Sequence, residues 1–151
     1  MNKVEEASML FSQGFNCSQS VLAVFCEELG IDKETALKIS CGFGGGMRQG
    51  EVCGVVTGAF MVLGLKYGQN ELNDIDAKKK TYDSVKNFSE KFKEINGSII
   101  CRQLLNCDLS VDEGMNYAKE NGLFNSVCPK LIKDAITILE ELLEKFKGNH
   151  L

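Results

Sequence analysis

The stretch Gly42-Phe43-Gly44-Gly45-Gly46-Met47-Arg48-Gln49-Gly50, followed by the run Glu51–Tyr67 (EVCGVVTGAFMVLGLKY), decides how this chain is read. A nine-residue loop rich in glycine leads into a segment that is apolar almost throughout. A helix that is hydrophobic all round belongs inside a protein. The run from Val52 to Leu65 is shorter than the ~20 apolar residues a membrane span needs, and Gly and Thr interrupt it. Gly54 and Gly58 lie about one turn apart on this helix, so another helix or a flat cofactor can approach its backbone closely.

Working outward, apolar residues recur at helical spacing. Val4, Ala7, Leu10 and Phe11 share a face that Gly14 ends. Asn16 is a helix cap with Gln19 three residues on, a capping-box pattern, and Cys17, Val21, Val24 and Phe25 follow until Gly30. Asp32 caps a third helix with Ala36, Leu37 and Cys41 apolar. Beyond the central run, Asp74 or Asp76 starts a long helix with Tyr82, Val85, Phe88, Phe92 and Ile95 as its apolar face and Gly97 as its stop. Ser98 is expected to cap a short helix containing Cys101, Leu104 and Leu105. Ser110 and Glu113 form another capping-box pattern before Met115, Tyr117 and Ala118. Pro129 suits the first position of a last helix carrying Ile132, Ala135, Ile136, Leu139, Leu142 and Phe146. No segment alternates with period two. The expectation is an all-α, single-domain bundle over residues 1–151, with about seven to eight helices and the glycine-rich helix buried at its centre.

Composition narrows the function. Seventeen basic against 21 acidic side chains leave a net charge of −4, which argues against a nucleic-acid partner. The first sixteen residues hold Lys3, Glu5 and Glu6 and no secretory signal pattern. The expected compartment is the cytoplasm, where thiols stay reduced and the cysteines that matter are catalytic, redox-sensing or metal-binding. There are seven cysteines, an odd number, so disulfides within the chain cannot pair them all.

The cysteines stand at 17, 26, 41, 53, 101, 107 and 128, and no two are spaced C-x-x-C. That argues against a thioredoxin-type dithiol, the common zinc ribbons and the bacterial ferredoxin pattern. Cys17, Cys53, Cys101 and Cys128 each fall at the start of a different expected helix, where unpaired N–H groups favour a thiolate. Cys26, Cys41 and Cys107 read as small buried hydrophobes. The glycine loop is not a P-loop, because Gly50 is followed by Glu51 and Val52, and it lacks the dinucleotide fingerprint. Its backbone at Gly44, Gly45 and Gly46 can offer N–H groups to cluster sulfides, a substrate anion or a thiolate. The chain has two arginines, Arg48 in that loop and Arg102 beside Cys101, each placed to stabilise a thiolate. His150 is the single histidine and the penultimate residue of the sequence, so no Cys–His couple is expected.

Several spaced motifs together carry a resemblance. Gly14-Phe15-Asn16-Cys17-Ser18-Gln19-Ser20-Val21, Gly42–Met47, Cys53-Gly54-Val55-Val56-Thr57-Gly58-Ala59, Leu63–Gly68, Gly97–Arg102 and Cys128 span most of the chain. In this it resembles the C-GCAxxG-C-C family of redox-active proteins. The family's four shared cysteines map to Cys17, Cys53, Cys101 and Cys128, and Val55 stands where the family motif has Ala. The resemblance implies a redox or electron-transfer role. A related domain in split-Soret cytochromes c carries an iron–sulfur centre, and the absence of C-x-x-C-H here removes the expectation of covalent haem.

Three readings follow. In the first, the four cysteines ligate an iron–sulfur cluster for electron transfer, with Gly44, Gly45, Gly46, Arg48 and Gly54 around it and a redox protein, a small thiol or a small electron carrier as partner. In the second, the chain is a metal-free thiol–disulfide oxidoreductase or redox sensor, with Cys53 as the attacking thiolate. In the third it is a structural zinc site or a helical interaction domain. The buried helix faces would also suit a homodimer.

Overall fold

The computed structural model describes the backbone of residues 1–148 and the side chains of residues 1–144. His150 and the side chain of Phe146 lie outside the described residues. Nine α-helical segments appear there, with no strand: α1 (Lys3–Ser12), α2 (Cys17–Ala23), α3 (Lys33–Ser40), α4 (Gly54–Tyr67), α5 (Ile75–Asn96), α6 (Cys101–Leu105), α7 (Asp112–Glu120), the single turn α8 (Leu123–Ser126) and α9 (Cys128–Gly148). The all-α expectation holds. No described helix is long and apolar enough to cross a membrane.

The glycine-rich α4 is the centre of the bundle. It packs on α2, α5 and α9. Val55, Val56, Ala59, Val62 and Leu63 are fully buried on it, each of the larger side chains contributing roughly 1.5–3 kcal/mol. The α2–α4 approach is close because α4 carries glycine where they cross. A Cβ at Gly58 would stand 2.9 Å from the Ser18 carbonyl oxygen and 3.2 Å from Val21 Cβ. At Gly54 a Cβ would overlap the Cys17 sulfur. The glycines therefore serve helix packing, and one of them also leaves room for a thiol.

The caps explain where several elements begin. Asn16 and Gln19 form the expected capping box: Gln19 N–H donates to Asn16 Oδ1 at 3.0 Å, and Asn16 N–H to Gln19 Oε1 at 2.9 Å. The same two side chains reach the next helix, Asn16 Nδ2 donating to the Cys41 carbonyl at 2.8 Å and Gln19 Nε2 to the Leu37 carbonyl at 3.0 Å. The start of α2 is thus tied to the end of α3.

Several expectations are corrected. The second helix stops at Ala23, and the chain reaches the left-handed Gly30 through a short 3₁₀ turn at 27–29. The central helix starts at Gly54 rather than Glu51, with Cys53 as its cap. Glu51 and Val52 are instead held against Ile99 and Ile100, in an isolated antiparallel bridge between Val52 and Ile100. That pairing also delays α6, which begins at Cys101. Ser98 caps no helix; its hydroxyl accepts the Ile100 N–H at 2.9 Å and donates to Gln103 Oε1. Ser110 does not cap α7 either; Val111 holds the cap position while the Ser110 hydroxyl donates to Asp108. On α5 the buried face is narrower than its apolar sequence, because Phe88 and Phe92 fill the space against the core while Tyr82 and Ile95 stay exposed. Tyr117 on α7 is exposed as well.

Candidate functional site

Two apolar cores meet at one place. The larger includes Cys53, with Cys17 packed against it. The smaller is built on Cys101, Leu105, Leu109, Ala118 and Cys128. Between them lies a cavity of about 150 Å³ that Cys17, Cys53, Cys101 and Cys128 all line. The four cysteines set apart by sequence position therefore face one space.

Each arrives by a different local device. Cys17 is the first residue of α2, directly after the Asn16 cap. Cys53 is the cap of α4 and Cys101 the first residue of α6. A pair of backbone bonds fixes these two relative to each other: Cys53 N–H donates to the Ile99 carbonyl at 2.8 Å, and Cys101 N–H to the Glu51 carbonyl at 2.6 Å. Outside this clamp, Arg102 Nη1 donates to Glu51 Oε1 at 2.7 Å and to the Gln49 carbonyl at 3.3 Å. Arg102 thus joins the Cys53 segment to the Cys101 segment, pairs with a carboxylate and does not line the cavity. Cys128 begins α9 and Pro129 is its second residue, one place later than expected.

The glycine loop approaches from the remaining side. Gly45, Gly46, Met47 and Arg48 are consecutive left-handed residues, with φ of 61, 65, 60 and 56°. Glycine adopts this conformation freely, but for Met47 and Arg48 it costs on the order of 1 kcal/mol each. Arg48 is exposed, so Arg48→Gly should raise unfolding stability by about 1 kcal/mol in urea titration. A loss of stability would show that the turn is not strained at that residue. Gly44, Gly45, Arg48 and Gly54 line the cavity. Gly46 does not; it sits behind Cys101, where a Cβ would stand 3.0 Å from the Cys101 Cβ.

The four thiols differ electrically. Cys17 and Cys53 share a hydrogen bond. That bond, with the N–H groups of Gly45, Ser18 and Cys17 itself, pulls the Cys17 thiol down to about 7 against the opposing effect of burial. The same shared bond, followed by burial, drives Cys53 well above the usual thiol range. Burial first, and then the Cys17 charge, push Cys101 up to about 12. Cys128 is also pushed to about 12, by burial and then by Cys17 and Cys101. The direction of these shifts favours the thiolate on Cys17, whereas position after the flexible loop favours Cys53.

The other three cysteines divide. Cys26 is buried in the main core and donates to the Ala23 carbonyl at 3.3 Å, as expected of a packing residue. Cys41 is exposed, because it closes α3 at the surface, which corrects the expectation of burial. Cys107 is half-buried and packs against the Cys101–Cys128 core without lining the cavity.

Among the described residues, no three His, Cys, Asp or Glu side chains stand close enough to grip one metal ion. Apolar side chains complete the cavity, including Phe11, Leu104, Leu105, Leu109, Met115, Phe124 and Leu131. This apolar wall was not foreseen. Its residues sit on α1, α6, α7, α8 and α9 and in the loop at Leu109, and no local spacing links them.

A family model described as "Putative redox-active protein (C_GCAxxG_C_C)" matches residues 15–142. No curated protein and no solved structure matches the chain.

Proposed function

From the premise that the chain belongs to the C_GCAxxG_C_C family, we propose that Cys17, Cys53, Cys101 and Cys128 hold one iron–sulfur cluster and that the protein transfers electrons. The observation that supports this is the convergence of four thiols, from four separate segments, on a cavity of about 150 Å³. Protein interiors rarely leave voids much larger than a water molecule. A single zinc ion needs its sulfurs about 2.3 Å from one point, and no such group of donors exists among the described residues. A cluster spreads its thiolates over more than one iron and suits a wider ring. The bare backbone at Gly54 keeps space for the Cys17 sulfur.

A bound cluster of this kind supplies a store for single electrons. The chain supplies the rest. The N–H groups of Gly45 and Ser18 at the Cys17 sulfur, and of Val55 at Cys53, raise the reduction potential. The α4 and α9 N-termini add positive ends beside Cys53 and Cys128. The apolar wall makes the surroundings of the buried sulfurs of Cys53, Cys101 and Cys128 less polar.

A second reading, metal-free thiol–disulfide chemistry, is favoured by the Cys17–Cys53 hydrogen bond. The Cys17 thiolate would attack a substrate disulfide and release one thiolate. Cys53 would then lose its proton, attack the Cys17 sulfur and release the second thiol, leaving a Cys17–Cys53 disulfide.

Purification without oxygen, followed by a visible spectrum and assays of iron, zinc and free thiols, separates the two. The cluster reading expects broad absorbance near roughly 400 nm and iron in stoichiometric amount. Colourless, iron-free protein would overturn it. In such protein the second reading expects alkylation of Cys17 to rise with pH to half its maximum near 7, since the thiolate is the reactive form. A midpoint near the free-thiol value of about 8.5 would count against the second reading.

A further inference from the structure

The buried residues Cys53, Cys101 and Cys128 form the floor of the cavity, and the partly exposed ones form its mouth. The mouth consists of Phe11, Asn16, Arg48, Leu104, Met115 and Phe124, beside Cys17 and Gly45. Among the described residues, Arg48 is the one charged side chain that lines the cavity. Its guanidinium folds over Gly45, where a Cβ would stand 3.3 Å from Arg48 Nη1. Arg102 spends its charge on Glu51, whereas Arg48 has no partner among the described residues. The strained left-handed turn holds this unpaired cation at the rim. The same mouth carries two aromatic rings, a leucine and a methionine, the last a side chain that adapts to irregular apolar shapes. An unpaired guanidinium beside an apolar wall is complementary to a molecule with an acidic head and an apolar body.

We propose that the cavity mouth binds a small organic anion, Arg48 gripping its carboxylate, phosphate or sulfonate and Phe11, Leu104, Met115 and Phe124 taking its apolar part. The inference deepens the reading above by setting a ligand directly over the four sulfurs. It requires no particular occupant of the floor.

The test measures binding to oxygen-free protein by fluorescence anisotropy, with three probes. These are 2-naphthoate, the uncharged 2-naphthalenemethanol, and inorganic phosphate as a competitor. The naphthoate should bind more tightly than the alcohol, and phosphate should displace it poorly. Arg48→Gln should weaken naphthoate by about tenfold, as the loss of one charge-assisted contact would give, and leave the alcohol unchanged. Arg48→Gly should do the same while remaining folded, because it relieves the left-handed backbone. Phe124→Ala should weaken both organic probes. Ile39→Ser, on an exposed face outside the cavity, should change nothing. The inference is overturned if wild-type protein does not bind 2-naphthoate, if Arg48→Gln binds it unchanged, if Ile39→Ser loses it equally, or if phosphate binds as tightly. Iron measured on the same samples keeps the two claims apart. Iron-free protein that still binds naphthoate through Arg48 retires the cluster and leaves the anion site standing.

Discussion

If the four cysteines hold a cluster, Cys101→Ser and Cys128→Ser should each remove the visible absorbance and most of the iron, whereas Cys26→Ala and Cys41→Ala should retain both. Serine has nearly the shape of cysteine, so the floor of the cavity stays filled, but its hydroxyl is a poor soft-metal ligand. Burial pushes Cys101 and Cys128 up to about 12, so in metal-free protein both are inert thiols. The dithiol reading therefore predicts little change in redox chemistry from losing either, since Cys17 and Cys53 suffice for it. Only ligation by all four cysteines makes these two inert thiols indispensable. Iron assay and absorbance on the four variants, scaled to folded protein by circular dichroism, check the prediction. Cys26→Ala loses some packing in the main core and should lower stability without touching the centre.

Gly54→Val carries the second large effect. Its Cβ would overlap the Cys17 sulfur and would stand 3.1 Å from both the Phe43 carbonyl oxygen and the Ser18 nitrogen. Two of these three neighbours are backbone, so the sulfur or the helix must move. We expect the bound centre to be lost and stability to fall by about 1–3 kcal/mol, the usual cost of overpacking. Gly64 on the same helix is the control, because a Cβ there meets nothing within 4 Å. Gly64→Ala should stabilise by about 0.5–1 kcal/mol and keep the iron, since Ala is the better helix residue. Urea unfolding and iron content on both variants decide the matter. Equal behaviour of the two would show that Gly54 has no special relation to Cys17.

The helices were legible where local chemistry settles them. The apolar run after the glycines announced a buried helix, and Asn16 with Gln19 announced its neighbour. Boundaries failed where a distant segment competes. Val52 leaves the helix to pair with Ile100, a residue 48 positions away, and no local pattern signals that. Ser110 is a good cap by type, yet the nearer Asp108 carboxylate takes its hydroxyl. The left-handed turn was hidden for a different reason: Met47 and Arg48 are not residue types that favour it. At the site, helix starts and the family motif picked out the four cysteines, and the structure brings them to one cavity. The rank order among their thiols was not legible, because it depends on which sulfur collects the loop N–H groups. The mouth was equally hidden, since Phe11, Met115 and Phe124 come from segments that meet only in the folded chain.

Diffraction at the iron absorption edge, from crystals grown without oxygen, decides whether the four sulfurs hold iron. Iron is expected within the cavity, bonded to the sulfurs of Cys17, Cys53, Cys101 and Cys128. A cavity without iron, with Cys17 and Cys53 joined as a disulfide and Cys101 and Cys128 as free thiols, would contradict that expectation.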